Sequence, residues 1–443
     1  MDRLAHLDAW MKVAVIGGGW AGLAAAAELA AAGAQVCVFE AARQLGGRAR
    51  RVVLDGHVLD NGQHLLLGAY CETLRLLRLV GADPERLCQR LPLTIDFPAG
   101  ERDAAFRLRL PRLPAPWHLL VGLLRARGVG LRSVWSTLRF MRRLQGEAYR
   151  LPDDETVSTL LDRHDQHGAM RHFLWEPLCL AALNTTPEQA SAQVFLRTLR
   201  DSLGGTRAAT DLLLPAVDLE SLWPAAAARF ICAHGGAIHV RSRVRTIDEP
   251  LGVAGERFAA VILAVAPQHA VALLQGHPLS ASTAELLAAY TYEPIATLYC
   301  AYPPEVRLPT AMLGLAPYGD DAFGQWVFDR GTLCGTPGML AFVLSGRGAW
   351  QAVDEATLAA RLHGELRAAL RRPLPAFTWN RMIREQRATF ACRPALPRPA
   401  ARSARPGLWL AGDYVCAEYP ATLEAAMRSG VAAATGILRE QQR

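Results

Sequence analysis

The sequence predicts an α/β fold in which a dinucleotide-binding domain is assembled from separated stretches of chain, with an α+β domain built from the stretches between. Three observations predict it. Val13-Ala-Val-Ile-Gly-Gly-Gly-Trp-Ala-Gly22 is a strand of small apolar residues running into Gly17, Gly19 and Gly22 at G-x-G-x-x-G spacing. An alanine-rich helix then leads to a second strand, Val36 to Phe39, which ends on the acidic Glu40. Far downstream, Ala260 to Pro267 and Leu408 to Asp413 read as buried strands, and Ala421 to Leu438 reads as a closing helix. This places a discontinuous Rossmann-like domain at residues 11–95, 206–270 and 405–443, and a second domain at 96–205 and 271–404.

Each part of the first unit has a physical task. Gly17 permits the tight strand-to-helix turn, Gly19 lets the backbone approach a pyrophosphate, and Gly22 lets the helix pack closely on the sheet. Trp20 and Ala21 open that helix, whose first N–H groups are free to meet phosphate. Glu40 can accept hydrogen bonds from a ribose diol.

Beyond this unit the pattern changes. Leu91 to Pro116 is rich in proline and arginine, and the alternation in Phe106-Arg-Leu-Arg-Leu110 predicts a short strand. From Pro116 to about Tyr149 the apolar spacing is helical. Thr186-Pro-Glu-Gln189 predicts a capped helix start ahead of Ala192, Phe195 and Leu199, and Ser282-Thr-Ala-Glu285 predicts another ahead of Leu286 and Leu287. Phe230 to Ile247 reads as strands around the Gly235-Gly236 turn. Asp60 and Asn61 are expected to shape a turn by bonding their own backbone.

Composition narrows the function. A chain of 443 residues can hold two or three well-buried domains. Its nine cysteines form neither C-x-x-C nor a Cys/His cluster, which predicts a reducing compartment without disulfides or a metal site. Met1 to Trp10 lacks the features of a signal peptide, and Met11 is an equal candidate for the start. The longest uncharged stretch, Phe258 to Ala284, is interrupted by Pro267, Gln268, His269, Gly276 and Pro278, so no membrane span is expected. Lys12 is the only lysine, which leaves no second one for a Schiff base or a lysine-held catalytic water. From Glu101 to Gln145 there are ten arginines and only two acids. That segment is either a solvated basic face or an interfacial helix region. The second is favoured: residues 102–143 would contact a membrane peripherally, with Trp117 and Trp135 in lipid and arginines at anionic headgroups. No nucleic-acid recognition motif accompanies the charge.

Glu40, Leu45-Gly-Gly-Arg48, Leu59-Asp-Asn-Gly-Gln-His64 and the terminal Ala411-Gly-Asp413 together resemble the flavin amine oxidase and phytoene desaturase superfamily, in the expected order across nearly the whole chain. The resemblance implies FAD in an extended conformation. It puts Gly46, Gly47 and Arg48 by the diphosphate and Gly62, Gln63 and His64 near the isoalloxazine ring. Val244 would contact adenine through its backbone, Gly412 and Asp413 would lie at the ribityl or phosphate side, and Thr422 and Leu423 would face the flavin pyrimidine. Where many relatives read Glu-Gly-Ala, this chain has Glu424-Ala-Ala426. The lysine kept by the amine-oxidase branch has no counterpart, which argues against amine oxidation.

The longer motifs Leu59 to Tyr70, Leu174 to Pro187 and Arg200-Asp-Ser-Leu-Gly-Gly205 are similar to those of the squalene-associated FAD proteins, the hydroxysqualene dehydroxylases. That resemblance implies replacement of an allylic hydroxyl of a C30 isoprenoid by hydrogen, giving squalene, in squalene and hopanoid biosynthesis. It also implies a cytoplasmic enzyme at the inner face of the membrane, in functional association with other enzymes of squalene synthesis. An acid should protonate the departing hydroxyl. His64 and Glu176 are the candidates: His64 could instead only orient the ring, and Glu176 could instead cap backbone before Pro177. Asp201 reads as a helix-end or salt-bridge residue. The rival readings are a desaturase of a carotenoid-like substrate and a non-catalytic, membrane-associated flavoprotein subunit.

Overall fold

The structure is a computed structural model that describes residues 11–98, 106–275, 277–315 and 323–441. Five parallel strands form one sheet: β1 (Lys12–Ile16), β2 (Gln35–Phe39), β3 (Ala237–His239), β4 (Ala260–Leu263) and β5 (Leu408–Leu410), in the order β3-β2-β1-β4-β5. Val13, Ala14, Val15 and Ile16 are all buried, as a parallel strand covered on both faces requires. Helix α1 (Trp20–Ala31) packs against the closing helix α2 (Leu423–Gln441). Small residues set their approach: a Cβ at Gly430 would lie 2.2 Å from the Ala21 carbonyl oxygen.

A second, antiparallel sheet runs in the order Met312–Gly314, Trp326–Asp329, Met339–Ser345, Tyr292–Ala301, Trp379–Phe390. Its alternation divides the work between two faces. Ala296, Leu298 and Cys300 pack with Leu358, Leu362 and Leu366 of the Glu355–Leu370 helix, while Ile295 and Tyr299 belong to the opposite face.

Four local expectations are corrected. The Pro116–Tyr149 region is two helices, Trp117–Leu124 and Leu131–Gly146, separated by a break that contains Gly128 at φ +79° and Gly130. Thr186 to Gln189 closes a turn only. The helix begins at Ala192 behind Ser191, whose hydroxyl accepts from the Val194 N–H, because Ser191 is held in a bridge to Thr156. Ser282 lies inside a helix that has already started at Ala281, so it caps nothing. Phe230 lies inside a helix, Pro224–Ala233, and only Ala237–His239 is a strand, leaving Val244 and Ile247 in irregular chain. Met1 to Trp10 and residues 102–105, including Arg102, lie outside the described residues. Among the described residues no helix is long and apolar enough to cross a membrane.

Candidate active site and cofactor cleft

A cavity of about 1710 Å³ lies between the two sheets and takes its walls from both. That exceeds the roughly 300–1,000 Å³ of ordinary ligand pockets, so it has room for a large cofactor and a substrate together. Sixteen of the expected site residues line it: Gly17, Gly19, Trp20, Ala21, Glu40, Gly46, Gly47, Arg48, Gly62, Gln63, His64, Val244, Gly412, Asp413, Thr422 and Leu423. Gly22 and Glu176 do not. Gly22 has a packing role instead, since a Cβ there would sit 2.0 Å from the Gly17 carbonyl oxygen.

One end of the cavity fits a dinucleotide. Gly17 turns the chain at φ +112°, and Gly19 starts α1 with no side-chain cap, which leaves first-turn N–H groups facing the cavity. The Gly46-Gly47 loop lies against this turn through the bond from Gly46 N–H to Gly18 O, 2.8 Å. Side chains in place of Gly19 and Gly47 would fill the cradle between the loops, because a Cβ on Gly47 comes within 3.3 Å of the Gly19 Cα. The Glu40 carboxylate is fixed at the cavity edge, accepting from Gly18 N–H and Ala42 N–H, each at 2.7 Å. Each oxygen keeps a second lone pair for a ribose hydroxyl. Thr422 accepts from Ala425 N–H and so opens α2 toward the cavity. The Glu424-Ala-Ala426 departure does not intrude, since Ala425 is fully buried and off the cavity wall. These glycine cradles, free N–H groups and the fixed carboxylate fit FAD.

Arg48 is not a free cation toward phosphate. Its guanidinium donates to Asp413 at 2.7 Å and to the Ala388 carbonyl at 2.6 Å, so Arg48 and Asp413 enter the cavity as a pair.

The His64 turn is held by a buried network. Asp60 does not bond its own turn with its carboxylate, nor does Asn61 with its amide. Asp60 accepts from Leu219 N–H at 2.8 Å and from Arg330 at 3.0 Å, and Asn61 donates to the Arg48 carbonyl. Arg330, only 2% exposed, also donates to the Gln63 side chain at 3.0 Å. Tyr299 donates to the Asp60 carbonyl. Burial holds Asp60 above the ordinary carboxylate range even beside Arg330. His64 Nδ1 lies 2.8 Å from the Gly62 carbonyl, which can only accept, so the proton sits on Nδ1. Burial holds this imidazole below the usual histidine range; the Gly62 bond and Asp60 oppose that without reversing it. His64 is therefore neutral at neutral pH, with its one N–H held by the Gly62 carbonyl.

Glu176 is corrected more plainly. It accepts from Arg171 at 2.7 Å, and Arg171 also pairs with Asp162 and Ser158. This ion-paired carboxylate stands off the cavity.

Sequence reasoning missed the polar cluster that does reach the cavity. Thr198, Asp201, Ser202 and Tyr419 line it beside Phe195, Leu199 and Leu203. The Tyr419 hydroxyl donates to Asp201 and accepts from Arg197 at 2.9 Å. The guanidinium carbons of Arg197 and Arg428 lie 4.8 and 4.9 Å from the Tyr419 ring centre. Burial pushes Asp201 up, but bonds from Tyr419, Arg197 and Arg200 outweigh it and hold the carboxyl below its ordinary range. Arg200-Asp201 belonged to a recognised motif, whereas Tyr419, 218 residues away, carried no signal. Ile95, Leu178, Met312, Trp326, Phe328 and Val343 give the same cavity an apolar stretch of wall. Lys12 is at the surface, paired with Glu256, and no lysine lines the cavity.

Comparison with known proteins agrees with this geometry. A family model described as flavin containing amine oxidoreductase matches residues 20–438. The chain is 30% identical over 455 residues to the hydroxysqualene dehydroxylase of Rhodopseudomonas palustris, spanning 96% of this chain and 98% of that protein. It is 28% identical to a probable zeta-carotene desaturase of Synechococcus elongatus over 54% of this chain and 51% of that one. An oxidoreductase structure from Methanosarcina mazei, 15% identical, shares the fold with a TM-score of 0.70 over 98% of this chain and 100% of its own. With a cleft that fits FAD, a family match over most of its length and a dehydroxylase relative spanning it, the chain is an FAD-dependent oxidoreductase and belongs to the flavin-containing amine oxidoreductase family, among its hydroxysqualene dehydroxylases.

Proposed function

We propose that the protein reductively removes the allylic hydroxyl of hydroxysqualene to give squalene, the step that supplies hopanoid synthesis. The observation that carries this reading is the apolar stretch of wall and the polar cluster Thr198, Asp201, Ser202 and Tyr419 in one cavity with the cofactor cleft. A long hydrocarbon would be held by the apolar wall, and a single hydroxyl would be recognised at the cluster. Bound FAD in its reduced form supplies the hydride.

The chain's residues do the rest. The Tyr419 phenol, whose O–H rests on Asp201, turns that O–H to the substrate and gives its proton to the departing oxygen as the C–O bond breaks, so the hydroxyl leaves as water. Carbon gains two electrons with the hydride and a C–H bond replaces the C–O bond. Arg197, bonded to the phenol oxygen, and Arg428, beside the ring, stabilise the phenolate until it takes a proton from solvent. The dry wall shields the delocalised allylic cation from water.

Anaerobic incubation of the reduced, FAD-loaded protein with hydroxysqualene tests this. Squalene should form as the flavin reoxidises. No squalene, together with reduction of the oxidised, FAD-loaded protein by a polyene in a parallel anaerobic incubation, would assign the protein to desaturation, the activity named for its Synechococcus elongatus relative. Flavin that is neither reoxidised by hydroxysqualene when reduced nor reduced by a polyene when oxidised would make it a non-catalytic flavoprotein.

A further inference from the structure

Nine large hydrophobic side chains are exposed among the described residues, and five of them fall between positions 113 and 135: Leu113, Trp117, Leu124, Leu131 and Trp135. Trp117 and Trp135 are each 59% exposed, far more than indole normally leaves to water. Trp117 and Leu124 share a face of one helix at i, i+7, and Leu131 and Trp135 share a face of the next at i, i+4. The opposite faces, with Leu123, Val134, Phe140 and Leu144, are buried in the core. Packing therefore leaves the two tryptophans outward.

The charge around them is one-sided. Residues 106–146 contain nine arginines and no acid. Only Arg107, with Asp96, and Arg143, with Glu147, pair with a carboxylate among the described residues. Arg112, Arg125, Arg127, Arg132, Arg139 and Arg142, interleaved in sequence with the apolar patch, are exposed as well. A second copy of the chain would bring this same positive face against itself across a two-fold interface, which like charge opposes. An anionic bilayer satisfies both features, taking indole and leucine below the headgroups and guanidinium at the phosphates.

We propose that these two helices are a docking surface for an anionic lipid bilayer. The placement suits the cavity. Gly122 lies so close that a Cβ there would be 2.4 Å from Leu110, at the end of the Phe106–Arg109 strand. That strand pairs with Thr94–Phe97, and Thr94 and Ile95 line the cavity. The docking face and the cavity's apolar stretch of wall are one strand pair apart. The proposal does not depend on the identity of the substrate.

Co-sedimentation of the full-length, FAD-loaded protein with vesicles tests it. The protein should partition into phosphatidylglycerol-containing vesicles, weakly into pure phosphatidylcholine, and less as salt rises. Trp117→Ser with Trp135→Ser should lower partitioning about tenfold or more at unchanged FAD content. Arg125→Gln, Arg127→Gln and Arg132→Gln together should remove the preference for anionic lipid. Wild-type protein that ignores anionic vesicles, or variants that bind as well as wild type, would overturn the proposal. So would a wild-type oligomer that the tryptophan variant dissociates, since the face would then belong to a protein partner.

Discussion

Tyr419 shows how one residue acquires a chemical role from its neighbours. Burial, reinforced by the bond to Asp201, pushes its pKa up to about 12, so the phenol keeps its proton across the physiological range. Two guanidinium groups nevertheless stand ready to stabilise the phenolate once the proton leaves. Tyr419→Phe keeps the ring and its packing and removes the hydroxyl with its proton and its bonds to Asp201 and Arg197. We expect a fall in kcat of about 10²–10⁴-fold with FAD content and KM little changed. An acid must be protonated to work, so the wild-type rate should lose nothing to Tyr419 as pH rises from 7 to 9, and the pH–rate profile checks this. Glu176→Gln should leave kcat near wild type, because that carboxylate serves Arg171.

Among the elements, the Trp117–Leu124 helix combines an exposed face with an unusual buried one. His118 is fully buried, and neither ring nitrogen has a hydrogen-bond partner among the described residues. Burial, followed by the nearby Arg207 cation, holds its pKa below the usual range. The sign of the consequence is definite. In the unfolded chain the imidazole takes a proton below about pH 6.5, and in the folded chain it resists doing so. Its contribution is therefore intact above that pH and is lost as pH falls through it, by at most about 1.4 kcal/mol per pH unit. His118→Leu fills similar space with no ionisable group. Thermal unfolding at pH 7.5 and 5.5 should show a smaller acid destabilisation in the variant than in wild type. Elements also explain the misplaced helix starts. Thr186 and Ser282 carry the right local chemistry, but the bridge at Ser191 and the earlier start at Ala281 override it.

Across the whole molecule, Asp60 and Arg330 join parts of the chain 270 residues apart and tie the His64 turn to the end of an antiparallel strand. A buried pair of this kind adds little net stability, yet losing one partner is costly. Arg330→Met should cost about 3 kcal/mol or more at neutral pH, because Asp60 is left buried and unpaired. The cost should shrink as pH falls, since protonation removes the stranded charge, and adding Asp60→Asn should recover much of it. Denaturant unfolding of the two single variants and the double variant measures each term.

The sequence by itself determined the dinucleotide half of this protein. Strand, glycine turn, helix and acid are dictated by local sterics and by burial on both faces of a parallel sheet, so Gly17 to Glu40 could be read in order. The family motifs carried the same reading to residues 46–48, 62–64, 412–413 and 422–423, which line one cavity. What only the tertiary structure decided is which polar groups reach that cavity. Glu176 sat in the right apolar segment, but Arg171 captured it, whereas Tyr419 came to Asp201 across 218 residues. Helix period and strand alternation say which face of an element is buried. They do not say what stands opposite, and a carboxylate's chemistry is set by its partner.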